Sequence, residues 1–472
     1  MLSGRGTAGI GSSFPGIIHS ALVAAVLAAL APRIACAETL PDALVRAYQG
    51  NPQLNAERAK LRSTDEGVPQ ALSGYRPQVT VGLSAGLISL RNLLPDNTSQ
   101  SAQLKPWVAG ITLNQTLFNG YKTGNTVRQA EAQIRSGRES LRAVEQSVLL
   151  DGATAYMGVL SNQSLVEAQR LNVQFLRETL ETTRTRLRVG DVPPTDVAQA
   201  EARYARATAD LNNAEVALAI SQATYTQVIG NPPAQLRPAE TIDRYLPHSR
   251  EEATDLAFKG HPAVLAAGFD VDVASTTIHV AESSLLPTIT VQGNASHSSQ
   301  SDPSFTTFRT DQASILGQMT APIYDGGTAA SQTRQAKELA AQSRQVLDQV
   351  HNQSRTAATG AWVANEGAKV AVTASESEVR AAGVALQGVQ KEAAGGQRTT
   401  VDVLNSQQDL ISAKARLIGA QRDRVIASYT LLSAIGKLDV KTLALNTPDY
   451  LPEVHYHQVR DAWHGLRTPS GQ

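Results

Sequence analysis

Apolar and polar positions alternate along residues 188–225 with a beat of seven. Val197, Tyr204, Leu211, Leu218 and Tyr225 recur at one core position, and Ala200, Ala207, Ala214, Ser221 and Val228 follow them at a second. This spacing predicts a helix with a heptad seam, large residues at one site and mostly small ones at the other, so that helix axes can approach closely. The pattern returns 206 residues later as Val403, Leu410, Leu417, Arg424 and Leu431, with Ser406, Ala413, Ala420, Ala427 and Ala434 between them. Gly190 then aligns with Gly396, Asp196 with Asp402, and Ile229-Gly230 with Ile435-Gly436. The chain therefore reads as one unit written twice around two helical hairpins.

Patterning divides the chain into a signal (1–37), a first repeat (38–240), a second repeat of the same design (241–445) and a tail (446–472). The signal reading rests on Arg5, the apolar run 21–31 and the small-x-small site Ala35-Cys36-Ala37 before Glu38. The alternative, a lipid-bearing Cys36, is disfavoured by Arg33, where such sites want an apolar residue. Each repeat opens on short helices broken by a Gly-x-Pro junction, Gly50-Asn51-Pro52 and Gly260-His261-Pro262. The helical pattern stops at Pro77 and Pro287. Two strands follow in each repeat, near 79–83 and 107–118 in the first and near 289–293 and 314–324 in the second. Polar loops are expected between them, at 92–103 and 296–311. The longer runs have the length of tilted membrane strands, and a soluble β-hairpin cap fits their alternation as well. A proline-free helix of about 60 residues, some 90 Å long, comes next in each repeat and must be stabilised by neighbours. The tail carries Pro448, Pro452 and Pro469 and reads as extended or disordered, with His455, His457 and His464 solvated.

Aromatic residues make up 4% of the chain and charged residues 18%, which suits thin helical walls with water on two sides better than a thick core. The formal net charge of +0 lacks the basic footprint of a nucleic-acid binder. No 18-residue apolar run predicts a membrane-spanning helix in the mature chain. Phosphate loops, His-Glu-x-x-His and nucleophile elbows are missing, and Lys122-Thr123-Gly124 has no accompanying acyl-enzyme motif. No cofactor, metal site or enzyme activity is expected. The hairpin turns concentrate charge: Arg188, Asp191 and Asp196 in the first, Arg398 and Asp402 in the second. Two readings stay open there. Thr195 and Thr399 or Thr400 can cap the return helices, with Thr399-x-x-Asp402 approximating a capping box. Alternatively these charges line a pore.

Asn51-Pro52, residues 107–120 (WVAGITLNQTLFNG), Arg188-Val189-Gly190, Thr195-Asp196-Val197 and residues 398–404 (RTTVDVL) together resemble the TolC family of trimeric outer-membrane efflux and secretion channels. The resemblance spans about 38–438. It implies a mainly α fold with membrane β: a trimeric helical barrel in the periplasm joined to a shared twelve-stranded outer-membrane barrel, four strands from each protomer. It further implies a Gram-negative outer-membrane location, a homotrimer in outer-membrane lipid, and a periplasmic adaptor and inner-membrane transporter as partners. At the closed tip, Thr195, Asp196, Arg398 and Asp402 match the family's polar gate pattern. Ala393 stands where some members carry Tyr, and Asn405 where they carry a second Asp. The competing expectation is a periplasmic helical-hairpin adaptor, which needs a β-rich domain of its own.

Overall fold

The structure, a computed structural model, describes residues 38–302 and 305–469. The expected signal at 1–37, including Cys36, lies outside the described residues. The first repeat contains α1 (Leu40–Gly50), α2 (Pro52–Asp65), α3 (Gly67–Leu72), β1 (Gln78–Ala85), β2 (Ile88–Leu93), β3 (Ser99–Asn119), α4 (Lys122–Arg188) and α5 (Pro194–Ile229). The second contains α6 (Arg250–Gly260), α7 (Pro262–Glu282), β4 (Thr288–Asp302), β5 (Phe305–Thr320), α8 (Thr328–Ala394) and α9 (Thr400–Ala434), and α10 (Pro452–Val459) follows.

The long helices α4 and α8 each have 67 residues, about 100 Å at 1.5 Å per residue, and start and stop at the same offset of 206. Along α4 lie α1, α2 and α3 on one side and α7 on the other, with α5 and α9 flanking its far half. Helix α8 packs on α6, α7 and α9. One long helix thus lies beside two shorter ones stacked end to end. The short pieces begin where the sequence dictates: Asn51 caps α2 through Oδ1, and His261 caps α7 through Nδ1. Segment 250–285 is apolar enough in composition to cross a membrane, but it belongs to this wall. Ser136 of α4 donates to Asp270 at 2.6 Å, and Gln129 to Thr277 at 2.8 Å.

Through the middle of α5 the small heptad positions are the ones that bury. Ala200, Ala207 and Ala214 of α5 are enclosed, whereas Leu211 and Leu218 are half-buried. Helix α9 departs from the pattern at Arg424, which is buried and held by Asp243 and Asn365. The main core lies around α1, the middle of α4 and the end of α9, with Tyr156, Tyr225, Leu149 and Leu431 fully enclosed.

The sheet order is β1-β3-β4-β5, all antiparallel, with β2 continuing β1 along β3. The break between β1 and β2 faces Pro106, which has no N–H to donate; Gly86 N–H still reaches its carbonyl at 2.9 Å. The expected polar loops are mostly strand. Leu93 pairs with Ser99, and only a short turn at 94–98 closes the first hairpin. Cross-strand pairing there compensates for a polar sequence that carries little alternation of its own.

The tail also differs from its expectation. Its segment 452–459 is helical and docked on α2. His455 Nδ1 lies 2.8 Å from Asp65 Oδ2, and Arg138 pairs with Glu453 at 3.4 Å. These partners sit some 300 or more residues away in sequence, so local pattern gave no sign of them. His455 is therefore largely buried rather than solvated.

Candidate channel wall and hairpin-tip gate

Register gives the sheet two chemically distinct faces. Val79, Val81 and Leu83 of β1 stand opposite Leu113, Ile111 and Ala109 of β3. The same face continues through Gly293 and Ala295 of β4 to Ile315 and Ala313 of β5, and lower down through Ile289 to Met319. The other face is mostly polar, with Thr80 and Ser84, then Thr112 and Asn114, then Gln292 and Asn294, then Ser314 and Gln318, and Val108 and Leu316 as apolar exceptions. The two sides thus fit lipid and water respectively. From Ile289 to Ser299 the strand advances ten residue steps, about 33 Å of strand and ~25 Å of height at a 40° tilt. His297, paired with Asp311 at 2.5 Å and 5.2 Å from the Trp107 ring, marks one end of the apolar band.

The hairpin tips lie at the opposite end of the long helices. Each long helix stops at a residue of positive φ, Gly190 at 79° and Gly396 at 75°. The same bonds close both ends: Asp191 N–H to Arg186 carbonyl at 3.0 Å, and Gln397 N–H to Glu392 carbonyl at 2.9 Å. A glycine is needed there because other residues resist left-handed backbone.

The structure separates the four predicted gate residues by role. Asp402 completes a capping box with Thr399, whose hydroxyl accepts from the Asp402 N–H at 3.2 Å. In return the Thr399 N–H donates to Asp402 at 3.0 Å, and this bond, with the Thr399 hydroxyl and nearby Arg398, holds the Asp402 carboxyl below the usual carboxylate range. Arg398 bonds Glu392 at 3.0 Å, and that carboxylate raises the guanidinium pKa. Thr195 does not cap. The cap position falls on Pro193, and Pro194 starts the helix, so Thr195 already sits inside its first turn. Among the described residues, Asp196 has no side-chain hydrogen bond or ion pair, and Thr195 likewise has none. Within one protomer the two tips are thus not brought onto a shared cluster.

Other tip residues escaped the sequence reading. Arg186 pairs with Asp191 at 2.6 Å in the first tip. Glu392 occupies the position of Arg186 at the repeat offset, so the two tips carry opposite charges at equivalent places. That inversion was visible in the alignment of the repeats. Deeper in, Arg203 of α5 donates to Asn405 of α9 at 2.9 Å, and Gln407 of α9 donates to Asn172 of α4 at 2.8 Å. Asn405, in place of an acid, accepts a bond that ties the two hairpins together.

A family model described as outer membrane efflux protein matches residues 43–231 and 253–437. The chain belongs to this family. BepC of Brucella suis biovar 1, an outer membrane efflux protein, is 40% identical over 445 residues, 94% of this chain and 95% of the relative. The outer membrane protein TolC of Vibrio cholerae is 28% identical over 409 residues, covering 85% and 91%. The Campylobacter jejuni CmeC outer membrane channel has the same fold, with a TM-score of 0.76 at 14% identity over 89% of each chain. This member of the family is thus a TolC-type outer-membrane exit duct. Its relatives are channel proteins rather than enzymes. TolC-like channels are trimeric and work with efflux or secretion machinery. The expectation of a periplasmic helical-hairpin adaptor is set aside by this match.

Proposed function

We propose that three copies of this chain close one shared membrane barrel of twelve strands, continued by a helical tunnel that ends at the hairpin tips. The observation that carries the reading is the sheet itself. It has one apolar and one mostly polar face, and among the described residues β1 and β5 each present an edge without a partner. Unpaired edges do not survive in lipid, so neighbouring copies must supply the missing pairings. Detergent-solubilised protein should have a mass near three protomers and form pores in planar bilayers. A stable monomer without pores would sink the proposal.

The duct performs no catalysis and takes no cofactor. A periplasmic adaptor and an inner-membrane transporter supply energy and cargo at the tips. Crosslinking in cells followed by identification of the co-purified transporter tests this, and cargo class follows from that transporter.

The resting gate uses Asp196, Thr195, Arg398 and Asp402, brought near one axis by three-fold symmetry. Among the described residues the Asp196 and Thr195 side chains have no partners, and both are available to a neighbour. Arg398, exposed and held by Glu392, supplies the opposite charge. Three carboxylates around one axis repel, and arginines between them offset that repulsion. Arg398→Ala should raise resting conductance in planar bilayers while trimer yield stays near wild type. Unchanged conductance would remove Arg398 from the gate and leave the tip charges to helix capping and turn geometry.

A further inference from the structure

Beyond α10 the chain runs on along the wall, where Arg460 pairs with Glu131 of α4 at 3.9 Å. A chain of contacts carries it toward the membrane. His455 and Asp65 dock its start on α2, and Arg138 covers the Tyr456 ring at 5.4 Å. Arg76 then donates to the Ala462 carbonyl at 2.7 Å and places its guanidinium 4.7 Å over the Trp463 ring. Arg76 is two residues before β1, and Val79 begins the apolar row of the sheet just beyond it. The tail is thus held at the height where helices give way to membrane strands.

At that height the surface is aromatic. Tyr75, Tyr121 and Tyr324 are exposed at the strand–helix junctions. Trp463 joins them at 69% exposure, and Leu466 is fully exposed at 102%. Such rings, apolar in body and polar at the tip, collect at the water–lipid boundary of membrane barrels. Arg76 and Arg467 add positive charge, set against the acid Asp461.

We propose that residues 463–467 form an interfacial anchor, resting in the headgroup region of the periplasmic leaflet and binding glycerophospholipid. The Arg76 contacts to Ala462 and Trp463, three residues before Val79 of the apolar face, select lipid over a second copy of the chain as the occupant. Trp463 and Leu466 enter the boundary, while Arg76 and Arg467 meet headgroup phosphates. The anchor adds to the membrane grip of the barrel at a point that the strands do not reach. It rests on the reading that the β sheet spans the membrane, and the test separates the two.

The purified full chain would carry a single fluorescent label at Leu466→Cys, Val81→Cys or Val189→Cys, with Cys36, where present, changed to Ser. Each trimer would be reconstituted in phosphatidylethanolamine and phosphatidylglycerol vesicles containing lipids brominated close to the headgroup or deep in the acyl chain. The label at 466 should be quenched roughly two-fold or more by the shallow bromines and less by the deep ones, as an interfacial position requires. The label at 81, within the band, should be quenched by the deep bromines, and that at 189, on the hairpin tip, by neither. A label at 466 as unquenched as that at 189, with 81 still quenched, would overturn the anchor and leave the barrel standing. It would mean that the segment faces water or a neighbouring protomer. An unquenched label at 81 would overturn the membrane assignment of the sheet itself, and the anchor with it.

Discussion

Burial pushes the Glu145 carboxyl up to about 6, with Asp439 adding to the shift and the Val440 N–H, 3.2 Å away, opposing it. The sign of its effect on stability follows. A carboxyl whose folded pKa lies above its unfolded value of 4.5 holds its proton more tightly when folded. Stability is therefore greatest below pH 4.5 as far as this group is concerned, falls as pH rises through 6, and then levels off. The loss is on the order of 2 kcal/mol. Buried Asp65 is shifted in the same direction by desolvation, against the bond from His455. Glu145→Gln keeps an acceptor for Val440 and removes the charge. It should raise the thermal midpoint at pH 8 and flatten its change between pH 4.5 and 6.5; an unaltered profile would show that Glu145 is not the group responsible. At the second tip, Thr399→Ala removes one half of the capping box and should cost about 1 kcal/mol, seen as faster hydrogen exchange in the first turn of α9. Thr195→Ala should leave the start of α5 unchanged, because no cap bond is lost there.

At the scale of elements, the hairpins depend on small residues. Ala207 lies in a cluster with Leu176, Leu180 and Ala200 that also takes in Leu404 from the other hairpin. Ala413 is equally enclosed in α9. Ala207→Leu and Ala413→Leu each insert three carbons into a close helix contact and should cost roughly 1–3 kcal/mol. Trimer yield after heating should fall for both, and an effect on only one would show that the repeats pack differently. This dependence was legible in the sequence because the beat of seven survives in two copies, and Gly190 and Gly396 locate both turns. The strand pairs were legible in position for the same reason, but not in extent. Leu93 and Ser99 pair across what reads as a polar loop, since backbone bonding outside the membrane needs no apolar alternation. The helix Pro452–Val459 was hidden for another reason: its partners Asp65 and Arg138 are distant in sequence. Of the tip residues, Asp402 was readable as a cap from Thr399-x-x-Asp402, whereas the Arg203–Asn405 link depends on how two hairpins lie side by side.

The whole molecule is incomplete as a protomer. Helix α8 leaves Val363, Val370 and Val384 exposed at 55%, 69% and 72% in a row spaced by seven or its multiple. Across the repeat, the corresponding helix α4 has its flanks covered by α7, α5 and α9. Helix α8 packs on α9 and on the shorter helices α6 and α7 and still leaves this valine row exposed, so the row awaits an equivalent neighbour. Helix α5 offers one, with Val216 and Ile220 exposed one turn apart. Copies joined in this way continue the wall, and the free edges of β1 and β5 meet in the same step. The contact is large and repeated, so a buried unpaired charge there should be costly while the same charge in water is not. The double variant Val363→Asp, Val370→Asp should keep the helical circular dichroism of the protomer, because both residues are exposed in it. Its mass in detergent should fall from three protomers to one, and pores in planar bilayers should vanish. Val189→Asp, equally exposed but at the tip, should retain both the trimer and its pores. Full trimer recovery for the double variant would place the neighbour on a different face of α8 and break the link between the valine row and closure of the barrel.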